Sequence, residues 1–508
     1  MNNTLIGLIA AMLTSAAHAA TFNVTRMDDP VPDGCSVNDC SLREAVIDAD
    51  DTVAEDTIVL PAGVYLVDFN VEFDNSEEVG DLDISTDMVF TGAPSTIDGQ
   101  QLGRIMDIKS DANVTLRDLT LQNGNSSLDT NGTTDGGALV INGGTLTLDS
   151  VIFDSNSATS LGGAFYAHSD AVVDIDGCLF SNNSGGTGAS ITINGDVTVR
   201  DTTFRGNDGS GLGGTGAVAY VYQGSNDNDA LFENVIFDQN TATGRGGAIR
   251  FLGRKLRIDG LVATANQSTT SSGGVLSFGG SGPQQVEIVN AIFDGNMADG
   301  WGGAIDFGGG ETDTLDIRHS SFVNNTSPDW GGALNITGGQ VVVTNSTFSG
   351  NQGGTGGAIQ LFGISSNLTL HHNTFSGNSA SGSGDALYLR AVADLGNNLI
   401  DGECFIFDVD VVTSLGGNVE GNGDSCDLDA GSDLVNQSNA QLGLLPLREN
   451  IGLTPTHELT SGSVARGQGV QSICELVAVD QLYESRGSEC NSGAVESNTI
   501  FKDGFEGG

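Results

Sequence analysis

Between residues 138 and 400 the apolar positions alternate with polar ones in short runs. Leu139-Val140-Ile141, Ile249-Arg250-Phe251, Ile305-Asp306-Phe307, Leu334-Asn335-Ile336, Ile359-Gln360-Leu361 and Leu387-Tyr388-Leu389 each set two apolar residues around a variable one. That is the period of a strand, whose successive side chains point to opposite faces. A second set of runs, including Leu146-Thr147-Leu148, Val172-Val173-Asp174-Ile175 and Val341-Val342-Val343, precedes a recurring Phe-x-x-Asn mark. The marks are Phe153/Asn156, Phe180/Asn183, Phe204/Asn207, Phe237/Asn240, Ala263/Asn266 (with the Phe replaced), Phe293/Asn296, Phe322/Asn325, Phe348/Asn351 and Phe375/Asn378. Gly-Gly-Ala or a variant runs in step, at Gly136, Gly162, Gly246, Gly273, Gly302, Gly331 and Gly356. The spacing drifts between 24 residues (Phe180 to Phe204) and 33 (Phe204 to Phe237), which is the signature of a solenoid.

The runs between the marks choose the solenoid. Helical periodicity is absent, Leu is sparse, and 74 glycines in 508 residues punctuate the turns, so a leucine-rich horseshoe is excluded. The expectation is an all-β parallel β-helix of about ten to twelve coils, spanning roughly 50–60 Å at the spacing of paired strands. In it Phe would form an internal aromatic stack. Asn would chain its amide from coil to coil, and Gly-Gly would supply a tight corner.

Residues 1–20 read as a signal peptide. An apolar run from Leu5 to Leu13 precedes Ala17-His18-Ala19, a small-x-small cleavage site, although the first residues carry no Lys or Arg. No later segment is long and apolar enough to cross a membrane as a helix. Seven cysteines fit an exported chain. Proximity suggests Cys35 with Cys40, Cys404 with Cys426 and Cys474 with Cys490, while spacing alone leaves other connectivities open. Cys178 is left over as a small buried filler, and without a CxxC no structural zinc is expected.

The formal charge of −47 argues against nucleic acid and anionic membranes as partners. Asp424, Asp427, Asp429 and Asp433 offer oxygens to a weak calcium site, but EF-hand and Gly-Gly-x-Gly-x-Asp spacings are missing. Solvated acidic loops explain them, so no metal or cofactor is expected.

A solenoid needs caps. Ser41-Leu42-Arg43-Glu44 is a capping box that opens a short helix to about Asp50. Cys40-Ser41-Leu42-Arg43-Glu44-Ala45 also resembles the motif that names the CSLREA domain of bacterial secreted β-helix proteins. The C-terminal run Leu445-Pro446, Thr454-Pro455-Thr456-His457, Asp480-Gln481, Arg486-Gly487 and Cys490 to Glu496 resembles the choice-of-anchor Q region of the same proteins. Arg486-Gly487 is displaced from Asp480-Gln481, and Asn450-Ile451-Gly452 replaces the usual Asn-Gly-Gly. The Gly-Gly-Ala-(Ile/Leu) and Phe-x-x-Asn pair is similar to the repeat of polymorphic outer membrane proteins, a family that includes surface adhesins. These resemblances imply a right-handed parallel β-helix displayed outside a Gram-negative cell or on its outer membrane. The organisation expected is 1–20 signal peptide, 21–110 N-terminal cap and first coils, 111–400 β-helix repeats, 401–497 C-terminal cap and 498–508 tail. Ile500 to Gly508 resembles short terminal tags of secreted proteins, where members of the outer membrane family carry an autotransporter barrel.

Many β-helices cleave polysaccharides, so carboxylates converging from neighbouring coils were sought. The outward row after Gly-Gly-Ala reads Val140, Tyr166, Thr192, Ala219, Arg250, Ser277, Asp306, Asn335, Gln360 and Tyr388, and a single acid and base there make no cleft. The row four residues before Phe holds Asp149 and Asp176 on one pair of coils and Glu233 and Asp259 on another. Stacked carboxylates about 5 Å apart suit a retaining glycosidase, but no Asn-Thr-Asp, Gly-His-Gly or Arg-Ile-Lys accompanies them. His319, His371 and His372 occupy turns without an evident nucleophile, so no catalytic residue is assigned. Binding is favoured instead. Trp301 and Trp330, the chain's two tryptophans, both precede Gly-Gly-Ala, share a register with Arg245 and offer flat faces to sugar rings or a protein. Arg245, Arg250, Arg254, Lys255 and Arg257 form a basic cluster suited to an anionic glycan. The reading is a non-catalytic, monomeric surface protein that mediates adhesion or glycan contact. The alternative is a polysaccharide lyase or glycoside hydrolase acting on acidic polysaccharide through Asp149/Asp176 or Glu233/Asp259.

Overall fold

The computed structural model describes residues 18–67, 80–109, 111–128, 134–211, 218–222, 229–279, 283–408, 411–450 and 453–496. Most of the expected signal peptide and the whole 498–508 tail lie outside the described residues. The strands build a parallel β-helix of about 11 turns. One coil runs Leu139–Ile141, Thr145–Asp149, Ile152–Asp154 and Ser157–Leu161. Stacking puts the strands after Gly-Gly-Ala into a 13-stranded sheet and those after Asn into a 9-stranded one. The two columns around Phe belong to a 27-stranded sheet, because Met88–Asp98 and Asn113–Gln122 run through both in the first coils.

Each mark has a physical task. Phe rings stack face to face from Phe153 to Phe237 and again from Phe293 to Phe375, with centroids 4.7–5.0 Å apart. The stack breaks where Ala263, fully buried, takes the Phe position. Asn156 through Asn378 form one continuous chain in which each Nδ2 donates to the next Oδ1 at 2.9–3.1 Å. The second Nδ2 hydrogen reaches back to a carbonyl of the preceding coil, as from Asn325 to Phe293 O at 2.9 Å. The two glycines differ in purpose. Gly302 sits at φ +63°, while a Cβ on Gly303 would run into the carbonyl oxygen of Gly332 one coil away.

At the N-terminal edge the helix Leu42–Asp50 starts with the capping box, Ser41 Oγ accepting from Glu44 N and Glu44 accepting from Ser41 N. It buries Leu42, Ala45, Val46 and Ala49 on the first coil. Arg43 is buried against Asp29 at 2.7 Å and donates to the carbonyls of Gly80 and Asp81. Disulfides join Cys35–Cys40, Cys404–Cys426 and Cys474–Cys490. Cys178 is buried, and burial pushes its thiol up to about 12.

The C-terminal segment folds back along one corner of the helix as a strap. Gln481, fully buried, accepts from Thr347 Oγ1 at 2.6 Å and donates to Ser321 Oγ and Thr454 Oγ1. Arg486 pairs with Glu496 at 2.6 Å and donates to Asn345 Oδ1, and Tyr483 stacks on His319 at 4.4 Å. His319, Asn345, His372 and Asn397 hold equivalent left-handed corners under the strap, with φ of +48 to +55°. The histidines of these turns are therefore structural.

Their burial has a pH consequence. Desolvation is the main cause that lowers the pKa of His319, His371, His372 and His457, with Arg318 beside His319 and Arg486 beside both His319 and His372 adding to it. A folded pKa below the unfolded value of about 6.5 gives stability that is complete above that pH and is lost as pH falls. Buried Asp480 and Glu496 have raised pKa values and act in the opposite sense, their cost being relieved as pH falls through the raised folded values and gone below the unfolded values of 3.8 and 4.5. The strap should thus loosen between pH 7.5 and 5.5, read as faster proteolysis after residue 440. Equal cleavage at both pH values would contradict this.

Candidate functional site

The 13-stranded sheet presents a single outward ladder. It runs Asp83, Asp107, Val140, Tyr166, Thr192, Tyr220, Arg250, Ser277, Asp306, Asn335, Gln360, Tyr388, Phe405. Two expectations need correction. Ala219 is not in this row, because Val218 takes the place that Ala248 has in the next coil and Ala219 turns inward, leaving Tyr220 outside. Much of the row is also covered: Asn335 is 0%, Gln360 1% and Asp306 4% exposed.

The aromatic stack explains the cover. Trp301 and Trp330 precede glycines at φ +63° and +64°, so both project from the same sharp corner and pair in register. Their rings stack at 4.8 Å and 13°, each half-buried. Trp330 then stacks on Phe362 at 5.1 Å. Trp330 lies before its strand, whereas Phe362 follows the strand Ile359–Leu361. The contact therefore bridges both ends of the outward row and roofs it. Phe362, Arg390 and Phe407 each follow equivalent strand ends, since Leu361, Leu389 and Ile406 are in register. The Arg390 guanidinium lies between the two rings, 4.4 Å from Phe362 and 5.0 Å from Phe407. Arg245 opens the Trp row, followed by Ser272, Trp301 and Trp330.

Under this roof Asn335 Nδ2 donates to Asp306 at 2.8 Å, and Asn335 Oδ1 is buried without a partner. Burial raises the Asp306 pKa, opposed by the Asn335 hydrogen bond and by the charges of Arg245 and Arg250. Arg250 is committed to the scaffold through Ser277 Oγ at 2.7 Å and Phe278 O at 2.8 Å.

The expected five-residue basic cluster is not one patch. Arg245 and Arg250 belong to the aromatic face, whereas Lys255 and Arg257 lie on the 27-stranded sheet, because the chain turns at Gly253-Arg254 between two strands. Lys255 and Arg257 line a groove of about 660 Å³ there. Its charges satisfy one another. Lys255 pairs with Asp229 at 3.5 Å, Arg257 with Glu287 and Asp259, and Arg318 with Glu287 and Asp316. Burial pushes the Asp316 carboxyl up, opposed by the charge of Arg318.

Asp149, Asp176, Glu233 and Asp259 do share one ladder at the edge of this groove, but Arg200 separates the two pairs. Asp149 and Asp176 are exposed. Arg117 lies 3.8 Å from Asp149, and Arg200 lies 2.9 Å from Glu233. Among the described residues, Asp424, Asp427, Asp429 and Asp433, weighed above as a weak calcium site and read as solvated loop acids, form no group of three that could hold a metal ion. Asp433 instead caps a second Asn chain, accepting from Asn418 N at 2.9 Å and from Ser414 Oγ. Among the described residues Asp81, Asp83 and Asp107 do converge, with Lys109 Nζ already 2.6 Å from Asp83 and 2.8 Å from Asp107. Burial pushes the Asp81 carboxyl up to about 6.

Three stretches of the chain, 150–168, 234–251 and 290–307, match the Chlamydia polymorphic membrane protein repeat. Each holds parts of one coil, from the corner before Phe to the strand after Gly-Gly-Ala. A comparison with curated proteins finds no match. Among solved structures the chain is similar to the catalytic domain of a GH87 α-1,3-glucanase in complex with tetrasaccharides, at 14% identity, covering 76% of this chain and 68% of that one, TM-score 0.40. It is also similar to a pectate lyase, Pel9A, at 14% identity over 96% and 98% of the two chains, TM-score 0.31. At these identities and TM-scores the likeness says nothing of activity, and the parallel β-helix stands on the strand pairing itself. No helix among the described residues is long and apolar enough to cross a membrane.

Proposed function

We propose that the chain is a surface-displayed or secreted β-helix that binds glycans without cleaving them, and that the stripe from Arg245 through Trp301, Trp330 and Phe362 to Arg390 is the binding surface. The observation that carries this reading is the stacked Trp301–Trp330–Phe362 series on the outer face of a rigid sheet. Pre-ordered rings cost little entropy on binding, and here the Trp301 face toward Ser272 and the edges of the Trp330 and Phe362 rings offer apolar surface to sugars. The match to the repeat of polymorphic membrane proteins supports a place on a cell surface. Purified protein applied to an array of bacterial and plant polysaccharides is expected to retain at least one class. Absence of binding across the array would overturn the reading.

A second reading has one observation in its favour. Glu287 and Asp316 are adjacent in the 660 Å³ groove, and burial raises Asp316, as a proton donor to a glycosidic oxygen requires. Release of reducing ends or unsaturated products from the same polysaccharides, lost in Asp316→Asn, would establish a hydrolase or lyase instead.

A further inference from the structure

The stripe ends in two guanidiniums whose circumstances differ from those of the groove. Arg245 is exposed and makes no hydrogen bond or ion pair with any described residue. Arg390 has a half-buried side chain held only by the rings of Phe362 and Phe407, and its Nε is buried without a hydrogen-bond partner. By contrast Arg200, Arg257, Arg318 and Arg486 each meet a carboxylate. Acidic side chains far outnumber basic ones here, 65 Asp and Glu against 18 Lys and Arg, so leaving two arginines unpaired on one face needs a reason.

We propose, resting on the glycan-binding reading, that the stripe selects carboxylated polysaccharide, with uronate carboxylates at Arg245 and Arg390, a sugar ring on the open face of Trp301 and the chain crossing the ring edges of the stack between them. Two rings clamp the Arg390 plane, which leaves the N–H edge of the guanidinium as its open side. That edge is the fork that matches a carboxylate in two parallel hydrogen bonds. Arg245 and Arg390 lie five coils apart along the helix, roughly 24 Å at about 4.8 Å per coil, on opposite sides of the outward row. A chain of about five sugars spans that distance. Next to Trp301 the register position holds Ser272, a small residue, so a ring can lie against the open face of the indole beside Arg245. Asp306 beneath is buried, with the charges of Arg245 and Arg250 favouring its carboxylate, and it is not positioned to repel the ligand from outside.

The test compares polygalacturonate and alginate with their fully methyl-esterified forms, which keep the chain and remove the charge. Wild type is expected to bind at least one free-acid form about 10-fold or more tighter than its ester by calorimetry. Arg245→Gln/Arg390→Gln should reduce that preference, read as the ratio of acid to ester affinity in the same variant, to about 3-fold or less; Arg245→Gln alone should remove part of it. Equal wild-type affinity for acid and ester would overturn carboxylate selection and leave glycan binding standing. Full retention of the preference in both variants would also overturn it. Preference for a sulfated glucan or single-stranded DNA over every polyuronate would count against it as well. If neither acid nor ester binds and the wider array is also silent, the glycan-binding reading itself fails.

Discussion

Replacing both Trp301 and Trp330 with alanine is expected to lower glycan affinity about 100-fold or more while leaving the fold intact. Rigid aromatic anchors at the centre of a binding surface contribute on the order of 2 kcal/mol each, and each 1.4 kcal/mol is tenfold in affinity. The rings stack at 4.8 Å on each other and bridge to Phe362, so losing both removes the sugar platform and unroofs Asn335 and Gln360 together. Those polar groups meet water rather than an apolar void, which keeps the stability cost small. Far-ultraviolet circular dichroism should be unchanged. Undiminished retention on the polysaccharide that wild type binds would remove the stripe from the account.

The second large effect is on stability. Asn325→Ala should destabilise the helix by about 3–5 kcal/mol, whereas Asp149→Asn should change stability by less than about 0.5 kcal/mol. Asn325 Oδ1 accepts from Asn296 N and Nδ2 at 3.1 and 3.0 Å, and its Nδ2 donates to Phe293 O and Asn351 Oδ1 at 2.9 and 3.0 Å. Truncation leaves Asn296 N and Phe293 O without these partners inside the fully buried stack. Asp149 is exposed on the outer face, 3.8 Å from a half-exposed Arg117. Denaturant melts of the two variants decide this, and similar midpoints would show that the Asn chain is not the element that ties the coils together.

The scaffold was largely readable from the chain because each mark repeats with its own physical cause. Phe spacing foretold the stacks, Asn the amide chain and Gly-Gly the corners; the capping box and the three cysteine pairs also formed as their spacing suggested. The register of Trp301 and Trp330 followed from the same marks. What escaped the sequence is contact across coils. Phe362, Arg390 and Phe407 lie one residue past the alternating runs, and their shared column emerges only from the register of Leu361, Leu389 and Ile406. Arg245 to Arg257 looked like one basic patch because five bases are close in the chain, but the turn at Gly253-Arg254 sends them to two sheets. The Arg257–Glu287–Arg318 network depends on the lengths of the intervening coils. The strap was legible as motif residues, yet nothing local in Asp480-Gln481 says that Gln481 reaches Thr347.

The most direct test of the functional stripe uses the protein's own probes. Trp301 and Trp330 are the only tryptophans in the chain, so intrinsic tryptophan emission reports this face alone. Titration of the intact protein with polygalacturonate or alginate should shift or quench that emission saturably, with a midpoint equal to the calorimetric Kd. Calorimetric binding of either polysaccharide with unchanged tryptophan emission would place the site elsewhere and contradict the account.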